Sequence, residues 1–139
     1  MINTKIYKSV YSLSEKLMTA AKKDNNEVFE SLYAELKAVC IDNENTGKDH
    51  PEQWETLADF TDELEDAVAG YEKALEKAID INSNDHISSI SLSMATLQIE
   101  LGQNDAAINN LQVAKISANK IEDTELKGDV DDLLETLLG

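Results

Sequence analysis

Apolar side chains recur along this chain at intervals of three or four residues, separated by charged and polar ones. Because an α-helix turns once in about 3.6 residues, this spacing puts the apolar positions on one side of a helix. The clearest stripe contains Ala67, Tyr71, Ala74, Ala78 and Ile81. The same pattern predicts seven helices, near residues 3–23, 25–42, 51–61, 64–82, 85–101, 104–120 and 124–138.

Short polar segments separate these stripes. Asp, Asn, Ser and Thr cap the start of a helix, and glycine ends one readily, so such segments predict helix boundaries. Proline occurs only once, at Pro51, which favours long helices over a turn-rich β fold. The boundary segments are Asp62-Glu63, Asn82 to Asp85, Gly102 to Asn104 and Glu122 to Thr124, and the longest connection is expected at 42–50.

The chain also matches itself at a shift of forty residues. Small residues superpose on small ones and large apolar residues on large ones, which indicates a repeated packing surface. We therefore predict an all-α solenoid of antiparallel helix pairs, with three pairs and a C-terminal capping helix. The matching positions are Ala67 with Ala107, Ala74 with Ala114, Ala78 with Ala118, Tyr71 with Leu111, Trp54 with Met94 and Leu134, and Leu57 with Leu97 and Leu137.

Part of this repeat resembles the tetratricopeptide repeat (TPR) family. Met94-Ala95 and Gly102 resemble the first helix of that family's helix pair and its turn, and Ala107, Leu111 and Ala114 resemble the small–large–small signature of its second helix. The resemblance implies one TPR-like domain over 1–139. Its parts would be a degenerate helix pair at 1–45, repeats at 51–82 and 85–120, and a capping helix at 124–138.

The sequence departs from the family in length and register. The usual TPR repeat has about 34 residues, fewer than the forty of the self-match. Trp54, Leu57 and Ala58 also resemble the family's Trp-x-x-Leu-Gly opening, in a register that leaves few residues before Ala67. The forty-residue register aligns more positions and is preferred, while the register around Trp54 stays open.

The charge of the chain limits its partners. There are 28 acidic residues against 12 lysines and no arginine, which gives a formal net charge of −16. Nucleic acid and anionic membranes are therefore unfavourable partners. A basic or amphipathic polypeptide is the partner that such a charge attracts, although solubility alone is another explanation.

Composition also bears on the compartment. Residues 1–26 lack a signal-peptide pattern, and no apolar run approaches the length of a membrane span. Cys40 is the single cysteine, so no intramolecular disulfide can form, and we expect a cytoplasmic protein. Cys40 continues the apolar series of Leu32, Leu36 and Val39, which favours a buried structural thiol over a nucleophile.

Residue spacing gives no catalytic or metal site. His50 and His86 lie at expected helix starts, and neither follows a carboxylate by three residues, since Gly47 and Ser83 occupy those positions. The spacings of di-iron bundles and zinc helices are therefore absent. No nucleophile–base pair can be assembled either. We expect a non-enzymatic protein with no catalytic residues, no metal ligands and no cofactor.

Two connections resemble the start of an EF-hand calcium loop, namely 80–85 and 42–47. Calcium needs a bidentate carboxylate at the twelfth position of that loop, where this chain has Ser91 and Gln53. Plain helix connections are the favoured interpretation. A calcium-responsive helical protein is the less favoured alternative.

The TPR resemblance implies a concave groove lined by the first helix of each pair. Phe60, Leu92 and Ile99 would anchor apolar side chains of a ligand there, or would instead pack under neighbouring helices. No groove position is Lys or Asn, so the family's clamp for C-terminal carboxylates is not visible. The implied peptide-binding residues are Glu52, Thr56, Asp59, Phe60, Ser89, Leu92, Thr96, Ile99, Glu100, Asp129, Asp132 and Thr136.

The sequence therefore supports two main hypotheses. The first is a protein–protein interaction module, a small cytosolic adaptor or chaperone-like TPR protein, that binds a basic or amphipathic polypeptide segment in its groove. The second is a structural domain that associates with a copy of itself.

Overall fold

The computed structural model describes residues 2–139, and every regular element in this range is an α-helix. All seven predicted helices are confirmed, with ends within a few residues of the predicted ones. None of the helices in this range is long and apolar enough to cross a membrane. The helices are α1 (Thr4–Lys22), α2 (Asn26–Asn43), α3 (Pro51–Asp59), α4 (Leu64–Asp80), α5 (Asn84–Glu100), α6 (Asn104–Ala118) and α7 (Thr124–Leu138).

Polar residues begin several helices in the expected way. The side chain of Asn3 accepts hydrogen bonds from the backbone N–H groups of Lys5 and Ile6, at the start of α1. The side chain of Asp123 likewise accepts one from Leu126 N–H, at the start of α7. These bonds satisfy backbone donors that have no partner within the first turn of a helix.

Three helices end through one shared motif. Asp24, Asn82 and Gly102 have φ values of 52°, 53° and 76° and follow α1, α4 and α5. In each case the next N–H reaches back to a carbonyl in the last turn, as Gln103 N–H does to the Gln98 carbonyl at 2.8 Å. Residues that tolerate a left-handed backbone are needed for this ending, which explains why Asn and Gly occur at these breaks.

The helices form two layers. Each helix packs against the next one along the chain, and α1 packs on α3, α3 on α5, and α5 on α7. Among residues 2–139, no comparable contact joins α2 to α4 or α4 to α6. The odd-numbered helices therefore form a continuous layer, with the even-numbered helices behind it. This packing order is the one expected for stacked helix pairs.

Small residues allow the closest approach between paired helices. A Cβ atom built on Gly70 of α4 would lie 3.1 Å from Ala58 Cβ of α3. Ala95 and Ala107 have the same separation along the chain and are both fully buried in α5 and α6. Ala95 follows Ala58 by 37 residues, and Ala107 follows Gly70 by 37. These two pairs of small residues are therefore related by a shift of 37 residues and not by the preferred shift of forty. The shift of 37 residues matches Ala95 with Ala58, the last residue of the alternative Trp54-x-x-Leu57-Ala58 motif.

The core has two parts. One is formed by residues of the first five helices, α1 to α5, and includes Leu17, Leu36 and Tyr71. The other joins α5, α6 and α7 around Leu111. The predicted stripe on α4 is buried, except that Ile81 is 46% exposed. That expectation was wrong because α4 ends at Asp80, and the following turn points the Ile81 side chain outward.

The two glycines Gly128 and Gly102 provide a test of this description. Gly128 lies inside α7, and nothing lies within 4 Å of a Cβ placed there. Gly128→Ala should therefore raise the free energy of unfolding by about 1 kcal/mol, because alanine favours the helical backbone more than glycine does. Chemical denaturation measures this change. Gly102→Ala should have the opposite sign because its φ is positive, and a stabilising Gly102→Ala would contradict the helix ending described above.

Candidate functional site

The sequence-derived groove residues lie on three helices of the odd-numbered layer or directly after one of them. Neighbouring helices in that layer are in contact, and none of the twelve residues is buried. We call the outward side of α3, α5 and α7 the acidic face. Its carboxylates are Glu52, Glu55, Asp59, Glu100, Asp129 and Asp132.

The carboxylates of the acidic face have no lysine partners. Within residues 2–139, no lysine ammonium lies within 4 Å of any of these six groups, and the lysine salt bridges form elsewhere. Lys115, for example, pairs with Asp131 at 3.2 Å, on the side of α7 that is turned towards α6. Glu100, Asp129 and Asp132 in particular are exposed and pair with no lysine of residues 2–139, so their negative charge remains available to a ligand.

The three apolar groove candidates are mainly packing residues. The ring of Phe60 lies edge-on to that of Phe29 on α2, with 6.3 Å between centroids. It lines a depression with Tyr33 of α2, and so it does not join the acidic face. Leu92 and Ile99 are half-buried against the core of α5, α6 and α7. Of the three, only Leu92 and Ile99 can offer a ligand an apolar contact beside the carboxylates.

His86 pairs with two carboxylates of the acidic face at the start of α5. Its Nδ1 lies 3.3 Å from Glu55 Oε1, and its Nε2 lies 3.7 Å from Glu52 Oε2. Ser89 Oγ donates a hydrogen bond to Glu55 Oε2 at 2.9 Å. The hydrogen bond with Glu55 raises the pKa of His86 above its usual 6.5, although burial acts in the opposite direction. A protonated His86 thus links the first turns of α3 and α5.

His50 has a different role, although its ring centroid is only 5.2 Å from that of His86. The His50 ring nitrogen Nδ1 accepts a hydrogen bond from the Glu52 backbone N–H at 3.1 Å. The backbone N–H of His50 donates to Gln53 Oε1 at 3.2 Å. Burial, and to a smaller extent the nearby charge of His86, lower the pKa of His50 to about 4. His50 is therefore a neutral cap that begins α3 and fixes the position of Glu52.

Asp59 is the second carboxylate of the face with a perturbed pKa. The residue as a whole keeps exposed surface, but its carboxylate accepts a hydrogen bond from the Tyr71 hydroxyl of α4. Desolvation at this contact raises the pKa of Asp59 to about 6, although the hydrogen bond opposes the rise. The charge of the acidic face therefore varies with pH at Asp59, whose pKa is about 6, and at His86, whose pKa is raised above its usual value.

Spacing along the sequence did not reveal the cluster of Glu52, Glu55 and His86. One ligand atom from each lies within 4.8 Å of the others, which makes them the candidate cation site among residues 2–139. A metal ion would bind only one imidazole nitrogen, whereas here each nitrogen faces a different carboxylate. The geometry fits an ion pair better. One feature of the sequence could have indicated the cluster: Glu52 and His86 each lie in the first turn of a predicted helix, and in a stack of helix pairs these two helices are neighbours.

A buried lysine holds the connection between α2 and α3, which contains the calcium-loop-like segment 42–47. Lys77 Nζ lies 3.0 Å from Asp49 Oδ2, 3.2 Å from Asn45 Oδ1 and 3.5 Å from Glu44 Oε2. The other oxygen of Asp49 accepts a hydrogen bond from Trp54 Nε1 at 2.8 Å. Glu44, Asn45 and Asp49 therefore join α4, through Lys77, to the start of α3, through Trp54.

Cys40 is buried, as the sequence predicts. Its Sγ donates to the Gln53 carbonyl at 3.3 Å, and burial raises the pKa of the thiol to about 12. Because the thiolate is the reactive form of cysteine, this side chain is a structural thiol.

Comparisons with protein-family models, with curated proteins and with solved structures found no match to this chain.

The titration of His86 tests the geometry of the site. Its pKa, followed by NMR through the ring protons, should lie above 6.5, while that of His50 should lie near 4. Because the folded pKa of His86 is raised, its contribution to stability is full below 6.5 and is lost as pH rises through the folded value.

Glu55→Gln should lower the pKa of His86, since it removes the largest cause of the shift. Asp129→Asn on α7 is the matched control, because it changes the net charge by the same amount away from the pair. An unchanged His86 pKa in Glu55→Gln would show that the contact between α3 and α5 is wrong.

Proposed function

We propose that this protein is a non-enzymatic interaction module of the cytoplasm that binds a basic, amphipathic polypeptide segment on its acidic face. The observation that carries the proposal is the set of six carboxylates on three adjacent helices, none with a lysine partner. The carboxylates of the acidic face repel one another, and no lysine of residues 2–139 relieves this repulsion. A cationic ligand that binds there relieves it, which favours binding.

The chemistry of the face sets the kind of ligand. Glu100, Asp129 and Asp132 are exposed and can pair with lysine or arginine side chains. Leu92 and Ile99 lie on the same helix as Glu100, half-buried against the core that α5 shares with α6 and α7, and offer apolar contacts to a ligand. Alternating cationic and apolar side chains, as on an amphipathic helix, match this arrangement.

The size of the face sets the reach of the ligand. Packed helices lie roughly 9 Å apart, so a segment that crosses α3, α5 and α7 spans on the order of 20 Å. A helix of about 13 residues or an extended segment of about six covers this distance. Charge complementarity over such a surface mainly affects association rate and specificity, so we expect binding that weakens strongly with salt.

The resemblance of residues 51–138 to TPR proteins also supports the proposal. In that family the first helices of the pairs line the ligand groove, and by this resemblance α3 and α5 would be first helices, with α7 the capping helix beside them. The packing order of the helices agrees with this assignment, since the odd-numbered helices are neighbours.

Calorimetry with a synthetic amphipathic peptide of leucine and lysine tests the proposal. The triple variant Glu100→Gln, Asp129→Asn, Asp132→Asn should weaken binding roughly tenfold, since an exposed ion pair contributes about 0.5 kcal/mol. Within residues 2–139 these three side chains make no ion pair, so the fold should be unaffected.

The matched control is Glu72→Gln, Glu76→Gln, Asp80→Asn on α4, which changes the net charge equally on exposed residues of the other layer. We expect the control to bind the peptide nearly as well as the natural chain. Equal loss in both triple variants would mean that the peptide senses only net charge, and would refute a specific site on the acidic face.

A further inference from the structure

Helix α1 differs from the rest of the chain in charge. Residues 1–23 contain five lysines and one acidic residue, Glu15, whereas residues 24–139 contain seven lysines and 27 acidic residues. The molecule is therefore strongly polarised, with a basic first helix attached to an acidic body. Solubility does not explain this segregation, because evenly distributed charge would serve it equally well.

The same helix exposes an aromatic and apolar stripe. Tyr7, Tyr11 and Met18 are 44%, 58% and 49% exposed, and the tyrosine rings stack at 6.4 Å between centroids. With Ser14, these residues are spaced by four, three and four positions, which places them along one line of the helix. Exposed tyrosine and methionine concentrated on one helix are typical of interfaces.

The stripe lies on the side of α1 away from α2. Lys16 and Ala20 line a depression together with Val28 and Leu32 of α2, which locates the side that faces α2. Helical spacing puts the line of Tyr7, Tyr11 and Met18 about 180° around α1 from Lys16. The buried line of Val10, Leu13 and Leu17 lies between the two. The stripe therefore borders the same layer surface as the acidic face, at its N-terminal end.

We propose that the stripe is a self-association surface, and that α1 of one copy lies on the acidic face of a second copy. This proposal rests on the acidic face of the proposed function, because α1 has the chemistry that the face is suited to bind. Lys8 and Lys22 are one helical turn from Tyr11 and Met18 and lie along one side of the stripe, where Glu15 is the one carboxylate of this helix. Charge complementarity between α1 and the acidic face identifies the second copy as the occupant.

Symmetry makes this contact form twice. The stripe and the acidic face belong to one layer of the molecule, so a twofold axis can bring the α1 of each copy to the acidic face of the other. The net charge of −16 opposes dimerisation at long range, but at physiological salt this repulsion is screened beyond about 8 Å. Pairs in direct contact are screened less, which leaves a weak dimer.

The dimer also has a consequence for the proposed function. A basic ligand and the α1 of a second copy would compete for the same carboxylates. Self-association would therefore cover the acidic face in the absence of ligand, and ligand binding would shift the protein towards the monomer.

Sedimentation velocity over a range of protein concentrations tests the proposal. We expect a monomer–dimer equilibrium in the natural chain. Tyr11→Ser with Met18→Ser should raise its dissociation constant at least about tenfold, as expected for removal of central interface side chains. Both side chains are largely exposed, so the fold should persist, which circular dichroism checks.

The control variant is Ile79→Ser with Ile116→Ser, which removes apolar side chains that are 56% and 61% exposed on α4 and α6. It should dimerise like the natural chain. The triple variant Glu100→Gln, Asp129→Asn, Asp132→Asn should weaken the dimer as the stripe variant does. A monomer at every concentration, or a dimer that the stripe variant leaves intact, would overturn the proposal.

Peptide binding separates this inference from the proposed function. If the stripe variant is monomeric and still binds the leucine–lysine peptide, the acidic face functions as proposed and both proposals are supported. If the natural chain remains monomeric but binds the peptide, only the self-association proposal is lost. If it dimerises through the stripe but binds no peptide, only the proposed function is lost.

Discussion

The side-by-side packing of the odd-numbered helices is the constraint on which the rest of the structure depends. Within each pair, small residues allow the two helices to approach closely, as at Ala58 of α3 and Gly70 of α4, because larger side chains would hold them apart. Once α3 and α5 are neighbours, their first turns meet, and Glu55 reaches His86 and Ser89. The composition of the acidic face is thus a consequence of how the pairs stack.

The distribution of lysines decides which carboxylates are neutralised within the molecule. Lys77 is buried and joins the connection before α3 to α4 through Asp49 and Glu44. Removing a single partner from such a buried group is strongly unfavourable, so this contact holds the fold together. The acidic face receives no lysine. Within residues 2–139, the cation that pairs with its carboxylates is His86, whose pKa is raised above its usual value.

Sequence periodicity predicted the helices well because their boundaries are encoded locally. Asn82 and Gly102 occupy left-handed turn positions, which few other residues tolerate, so the breaks were visible without tertiary information. Burial of the stripe on α4 followed from the same periodicity. Ile81 was misassigned because a helix end cannot be located to the single residue from spacing alone.

The site was less predictable because it depends on contacts between helices. Glu52 and His86 are far apart in the sequence, and only the contact between α3 and α5 brings them together. Phe60 follows Asp59 directly, yet its side chain turns towards Phe29 of α2. Tyr7, Tyr11 and Met18 fit a helical stripe equally well whether buried or exposed. Their exposure could be seen only once α1 was placed against α2 and α3.

The claim that the acidic face is the binding surface is tested most directly by an NMR titration of the isotope-labelled protein with the leucine–lysine peptide. We expect the largest changes in backbone amide shifts on α3, α5 and α7, around Glu55, Thr96, Glu100 and Asp132. Changes concentrated on α4 and α6, or spread evenly over all acidic segments, would contradict the claim.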